Sequence, residues 1–93
     1  MVQYYAVYQS GAELLGTGTS VPEAIRAAEV TSDRALPSLT IYGLDGPRAE
    51  TRGAYYLRPC TQEVYEAVQA HRATIAYAVN EEGYLAVLDP REA

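Results

Sequence analysis

The chain has 93 residues, with no lysine, 7 arginines and 12 acidic residues, and its formal net charge is −5. This length fits a single domain over 1–93, because a second hydrophobic core would need more chain. The apolar share of 48% and the charged share of 20% are those of a globular protein and exclude a disordered acidic tail. One cysteine and one histidine exclude a disulfide framework and a Cys/His metal cage. We therefore expect neither a metal nor a cofactor.

No stretch of the sequence approaches the roughly 18 consecutive apolar residues that a membrane span needs. The first residues also lack the charged segment and apolar run of a secretory signal. From these two features we expect a cytoplasmic protein without a membrane partner.

All nine aromatic residues are tyrosines. Each phenol hydroxyl needs a hydrogen-bond partner or water when its ring is buried. Nine tyrosines exceed what so small a core can satisfy, so some of them are expected at the surface, where tyrosine is a common contact residue of interfaces.

The chain begins with a predicted β-hairpin, residues 4–9 and 12–18 joined by Ser10 and Gly11. This turn places Val7 opposite Leu14 and Tyr8 opposite Glu13. Period-two alternation then separates a core face from a half-exposed outer face. The core face comprises Tyr5, Val7 and Leu14, and the outer face comprises Tyr4, Tyr8 and Glu13.

Two helices are predicted from capping residues and apolar stripes. Ser20 and Glu23 form a capping box for the first helix, which ends near residues 31–33. Thr61 is the expected N-cap of the second. The stripes recur at i, i+3, i+4 and i+7, and comprise Val21, Ala24, Ile25 and Ala28 in the first helix and Val64, Ala67, Val68 and His71 in the second.

Four further strands are predicted over 39–42, 54–58, 75–80 and 84–88, with a polar loop over 45–53. The last two strands are joined by a three-residue loop that ends in Gly83. Their core face comprises Ile75, Tyr77, Val79, Leu85 and Val87, and their small face comprises Ala76, Ala78 and Ala86. The order β-β-α-β-β-α-β-β, with mainly antiparallel strands, predicts a small α+β domain.

Two local patterns are candidates for chemical sites. Cys60 at a helix start could be an activated thiol with His71 as its base. A helical rise of about 1.5 Å per residue places the two roughly 16 Å apart, which excludes a catalytic dyad. The turn 16–20 could hold an anion at a helix N-terminus, but it lacks the third glycine of a dinucleotide fingerprint and the lysine of a P-loop. We therefore expect no catalytic residues.

The charge distribution favours a basic partner. Arg48, Arg52 and Arg58 form a short positive stretch, whereas residues 59–93 are acidic. Nucleic-acid binding depends on neutralising phosphates, so a chain with this net charge is not expected to bind nucleic acid directly. Complementary potentials favour a protein with a basic surface instead, and many such proteins handle nucleic acids.

Residues 4–30, with Tyr-Tyr-Ala-Val-Tyr followed by Gly-Thr-Gly-Thr-Ser-Val-Pro-Glu-Ala-Ile, resemble the β-β-α opening of HicB-type antitoxins. The resemblance covers less than a third of the chain, and no helix-turn-helix or ribbon-type DNA-binding tail follows it. In size and acidity the chain also resembles small inhibitors from phages and plasmids, such as anti-CRISPR and anti-restriction proteins.

The leading hypothesis is a non-enzymatic protein-binding module that inhibits or neutralises a nucleic-acid-handling protein. The residues expected to contact this partner are Tyr4, Tyr8, Glu13, Glu81, Glu82 and Tyr84. One alternative is an assembly module that forms a homodimer through an edge strand or through the small face of Ala76, Ala78 and Ala86. Another is a small-ligand or phosphate-binding domain that uses the turn 16–20.

Overall fold

The computed structural model describes residues 2–11, 13–33, 35–36, 39–42, 50–70 and 77–87. Within these residues the chain forms six strands and two helices, which confirms the predicted order and the α+β class. The elements are β1 (Tyr4–Gln9), β2 (Leu14–Gly18), α1 (Val21–Ser32), β3 (Thr40–Ile41), β4 (Tyr55–Cys60), α2 (Gln62–Gln69), β5 (Tyr77–Val79) and β6 (Leu85–Val87).

The strands form one sheet in the order β2-β1-β4-β6-β5, and β3 also pairs with β4. The pairs β1–β2, β1–β4 and β5–β6 are antiparallel. β3 and β6 both run parallel to β4, β3 beside Tyr56 and Leu57 and β6 beside Cys60. The sheet is therefore mostly antiparallel, and two short parallel strands share one side of β4.

Pro59 explains why two strands share that side. The carbonyl of Leu57 accepts from Tyr42 N at 2.8 Å. The N–H and C=O groups of the odd-numbered residues of β4 therefore point toward β3 and β6. Pro59 has no N–H to offer there, and a ladder hydrogen bond is missing at its position. β3 pairs before Pro59, and the β6 pairing lies after it, at Cys60.

The first hairpin is formed, but its predicted register is wrong. Tyr8 pairs with Leu14 and Val7 with Gly16, which leaves Leu15 as the extra residue of a β-bulge. Strand β2 accordingly begins at Leu14 rather than at residue 12. The bulge also moves Leu14 from the predicted core face to the opposite face, where it packs beside Tyr8.

The sheet has a hydrophobic cluster on each face. The cluster under α1 contains Val7, Leu15, Ala24, Ala28 and Leu57, flanked by Tyr5 and Tyr55 among others. The cluster under α2 contains Ala6, Tyr8, Tyr56, Cys60, Val64 and Leu85, flanked by Tyr77, Val79 and Val87. Helices on opposite faces thus bury both sides of β1 and β4.

Close packing of α1 against β2 depends on two glycines. A Cβ atom added to Gly16 would lie 2.4 Å from the backbone nitrogen of Ala28. One added to Gly18 would lie 2.7 Å from the nitrogen of Ala24. Only glycine lets the helix backbone approach the strand so closely, since any side chain would force α1 away from the sheet.

The capping residues and the second hairpin agree with the prediction. The Ser20 hydroxyl accepts from Glu23 N at 3.2 Å, and that of Thr61 accepts from Val64 N at 3.3 Å. In the second hairpin Tyr77 pairs with Val87 and Val79 with Leu85, and all four side chains pack on the α2 face. Predicted residues 75, 76 and 88 of this hairpin lie outside the described residues, as does His71.

Candidate functional site

A buried ion pair lies on the face of the sheet that helix α2 covers, which we call the α2 face. Arg58 on β4 is completely buried, and its Nη2 lies 3.1 Å from Glu50 Oε2, whose side chain is 17% exposed. Arg58 Nε donates to Tyr8 Oη at 2.9 Å, and the Tyr8 hydroxyl in turn donates to Glu50 Oε2. Ser10 Oγ donates to the other carboxylate oxygen at 3.0 Å. The network joins β1, β4 and residue 50, which precedes β4.

Within the part of the chain that the structure describes, Arg58 Nη1 and Nη2 make no hydrogen bond of good geometry, although both are buried. The guanidinium carbon lies 4.4 Å from the centre of the Tyr42 ring. An aromatic face attracts a cation and accepts N–H groups weakly. The Tyr42 ring therefore takes the place of part of the hydration that Arg58 loses on burial.

Four tyrosine rings surround this network. The Tyr42 and Tyr56 rings stack with centroids 5.3 Å apart, and the Tyr8 ring lies 5.9 Å from Tyr56 and 5.8 Å from Tyr77. The Tyr56 hydroxyl accepts from Thr51 N at 2.7 Å. Tyrosine thus fills the core position where phenylalanine is common, and several of its hydroxyls are used within the fold.

The ionisation states follow from burial and neighbours. Burial, followed by the hydrogen bond to Glu50, raises the pKa of Tyr8 well above its ordinary value. Burial also raises the pKa of Tyr77, with smaller contributions from the charges of Glu50 and Glu13. Burial lowers the pKa of Arg58, but its interactions with Tyr8 and Glu50 outweigh this and leave the pKa raised. A neutral phenol beside an ion pair suits a network that holds strands together.

The expected exposure of Tyr8 is therefore wrong. Its side chain is 1% exposed, because the face that carries Tyr4 and Tyr8 is covered by α2 and the second hairpin rather than by solvent. The sequence predicts a half-exposed face here because tyrosine, which carries a hydroxyl, is common at surfaces. Tyr8 contributes that hydroxyl to the ion-pair network and is not available to a partner.

The other predicted contact residues occupy three separate places. Tyr4 is half-buried against Tyr65 of α2, with ring centroids 4.7 Å apart. Glu13 is exposed at the turn end of the first hairpin, where its carbonyl accepts from Gln9 N. Glu81 and Glu82 are exposed at the tip of the second hairpin, and Tyr84 beside them is half-buried. The exposed acids Glu13, Glu81 and Glu82 thus lie at the turns of two different hairpins.

Cys60 is not an activated thiol. Its side chain is 2% exposed, and burial raises its pKa to about 12. The thiolate is the nucleophilic form, so Cys60 is unreactive near neutral pH.

The turn 16–20 is occupied by its own side chains. The Glu23 carboxylate accepts from Thr19 N at 3.2 Å and from Thr19 Oγ1 at 3.4 Å, and the Ser20 hydroxyl caps the helix. This carboxylate lies where an external anion would bind a helix N-terminus. Gly16 and Gly18, meanwhile, are explained by the packing of α1.

Sequence reasoning missed the network around Arg58. The sequence predicts a positive stretch that includes Arg58, yet Arg58 is buried and paired, and Arg48 lies outside the described residues. The sequence predicts Glu50 in a polar loop. A signal was present in the alternation of β4, because Arg58 falls between Tyr56 and Cys60 on one face, but its partner cannot be deduced from spacing.

The described residues contain neither a membrane-spanning helix nor a cluster of metal-binding side chains. None of their helices is both long enough and apolar enough to cross a membrane. They also contain no group of three or more His, Cys, Asp and Glu side chains that could hold a metal ion.

Comparison with known proteins gives no relative. No protein-family description, no curated protein and no solved structure matches the chain. The resemblance of residues 4–30 to HicB-type antitoxins thus gains no support from these comparisons. Any functional conclusion rests on the geometry of the chain itself.

Proposed function

We propose that the protein is a non-enzymatic protein-binding module whose partner presents a basic surface. The observation that carries the proposal is the charge of the described surface. It exposes two arginines, Arg26 and Arg52, against seven acidic residues. These are Glu13, Glu23, Asp33, Glu63, Glu66, Glu81 and Glu82. The pair of Arg58 and Glu50 is neutral, so its burial leaves this excess of negative charge unchanged.

Helix α2 supplies the most coherent acidic surface. Its outward side exposes Glu63 and Glu66, and within the described helix no basic residue offsets them. The Gln62 amide donates to Glu66 Oε1 at 2.8 Å, which orients that carboxylate. Because Tyr65 precedes Glu66, the half-buried pair of Tyr4 and Tyr65 borders the acidic side.

This combination is suited to protein contact. Aromatic side chains supply large buried area at low entropic cost and are frequent in the contacts that dominate binding energy. Flanking carboxylates steer a basic partner and exclude acidic ones. We call the surface of Tyr4, Glu63, Tyr65 and Glu66 the α2 surface.

The partner class follows from its charge. Proteins that handle nucleic acids carry basic surfaces for phosphate, and an acidic module can cover such a surface. The proposed biological role is therefore that of a small inhibitor or neutraliser of a nucleic-acid-handling protein.

The proposal is tested by capturing partners from the host with the immobilised protein and then measuring binding of the purified partner by calorimetry. Binding should weaken as salt increases, because screening reduces attraction between exposed charges. The Glu63→Lys/Glu66→Lys double variant should weaken binding about tenfold. Glu81→Lys/Glu82→Lys makes the same change of charge elsewhere and should have a smaller effect.

Equal weakening by both double variants would indicate a general effect of net charge and reject the α2 surface. A larger effect of the hairpin variant would move the contact to Glu81 and Glu82. An affinity that changes neither with salt nor in the two double variants would contradict the proposal as a whole. Turnover of a substrate that a single substitution abolishes would also contradict it.

The homodimer alternative keeps one observation in its favour. Ala78 is exposed and Ala86 half-buried on the face of the second hairpin opposite its packed side chains, while β5 is an edge strand. Ala76 lies outside the described residues. Light scattering over a range of concentrations tests this: an Ala78→Glu variant should dissociate a dimer, whereas a concentration-independent monomer would exclude it.

A further inference from the structure

We draw no further inference here: the strongest candidate, the side-chain cluster of Arg58, Tyr8 and Ser10 where β1 meets β4, belongs to the ion-pair network already described, in which the Glu50 carboxylate of the same chain occupies the position that an external anion would take.

Discussion

The two faces of the sheet are built from different chemistry. The α1 face is packed from small and aliphatic side chains, with Gly16 and Gly18 directly against the helix backbone. The α2 face places a guanidinium, a carboxylate and four tyrosine rings in its interior. The stability of the α1 face depends on complementary shape, because hydrocarbon contacts require only close approach. The stability of the α2 face depends on a complete polar network, since each buried polar group needs its partner.

The largest expected effect tests the close approach on the α1 face. Gly16→Val places side-chain atoms where the Ala28 backbone lies, and backbone cannot move aside without shifting α1. The free energy of unfolding in urea should fall by more than about 3 kcal/mol. Gly53→Ala is the control, because nothing lies within 4 Å of that position and only its positive φ is strained. Similar losses in both variants would show that α1 is not packed as tightly as this.

The next effect tests completeness on the α2 face. Arg58→Met keeps the hydrocarbon stem but leaves Glu50 and the Tyr8 hydroxyl without their cation. Unfolding free energy should fall by about 2–3 kcal/mol, and addition of Glu50→Gln should restore part of it. Arg26→Met, at an exposed position of α1, should change stability by less than about 0.5 kcal/mol. If Arg58→Met behaves like Arg26→Met, the ion pair does not stabilise the fold.

The smallest effect concerns alkaline pH and again separates the faces. Tyr8, Cys60 and Tyr77 have raised pKa values, and all belong to the α2 face. In the unfolded chain the Cys60 thiol ionises near its ordinary pKa of 9.0, whereas burial raises this to about 12 in the fold. The stabilisation is therefore complete below pH 9 and is lost as pH rises toward 12.

Urea denaturation between pH 8 and pH 10 measures this loss, to which Cys60 contributes about 1.4 kcal/mol per pH unit above 9. Cys60→Ala should remove that contribution and leave a shallower decline from the tyrosines. An identical decline in the variant and the wild type would show that Cys60 is not the group responsible.

The comparison also explains which predictions succeeded. The helix starts at Ser20 and Thr61 follow from side chains that bond to backbone within three residues, so local sequence contains the whole interaction. The second hairpin was predicted in its correct register, because its apolar alternation agrees with its turn. The predicted register of the first hairpin is wrong because the bulge at Leu15 responds to packing on both faces of β2, which no local pattern shows.

By itself the sequence determined the α+β class, the order of the elements, both helix caps and the acidic balance of the chain, since propensity, capping and charge act between neighbours or over composition. Only the tertiary structure decided that Tyr8 is buried and that Arg58 meets Glu50. The physical reason is separation along the chain. Tyr8 and Glu50 are brought together by the pairing of β1 with β4, and a hydrogen bond between distant residues leaves no periodic signal in either segment.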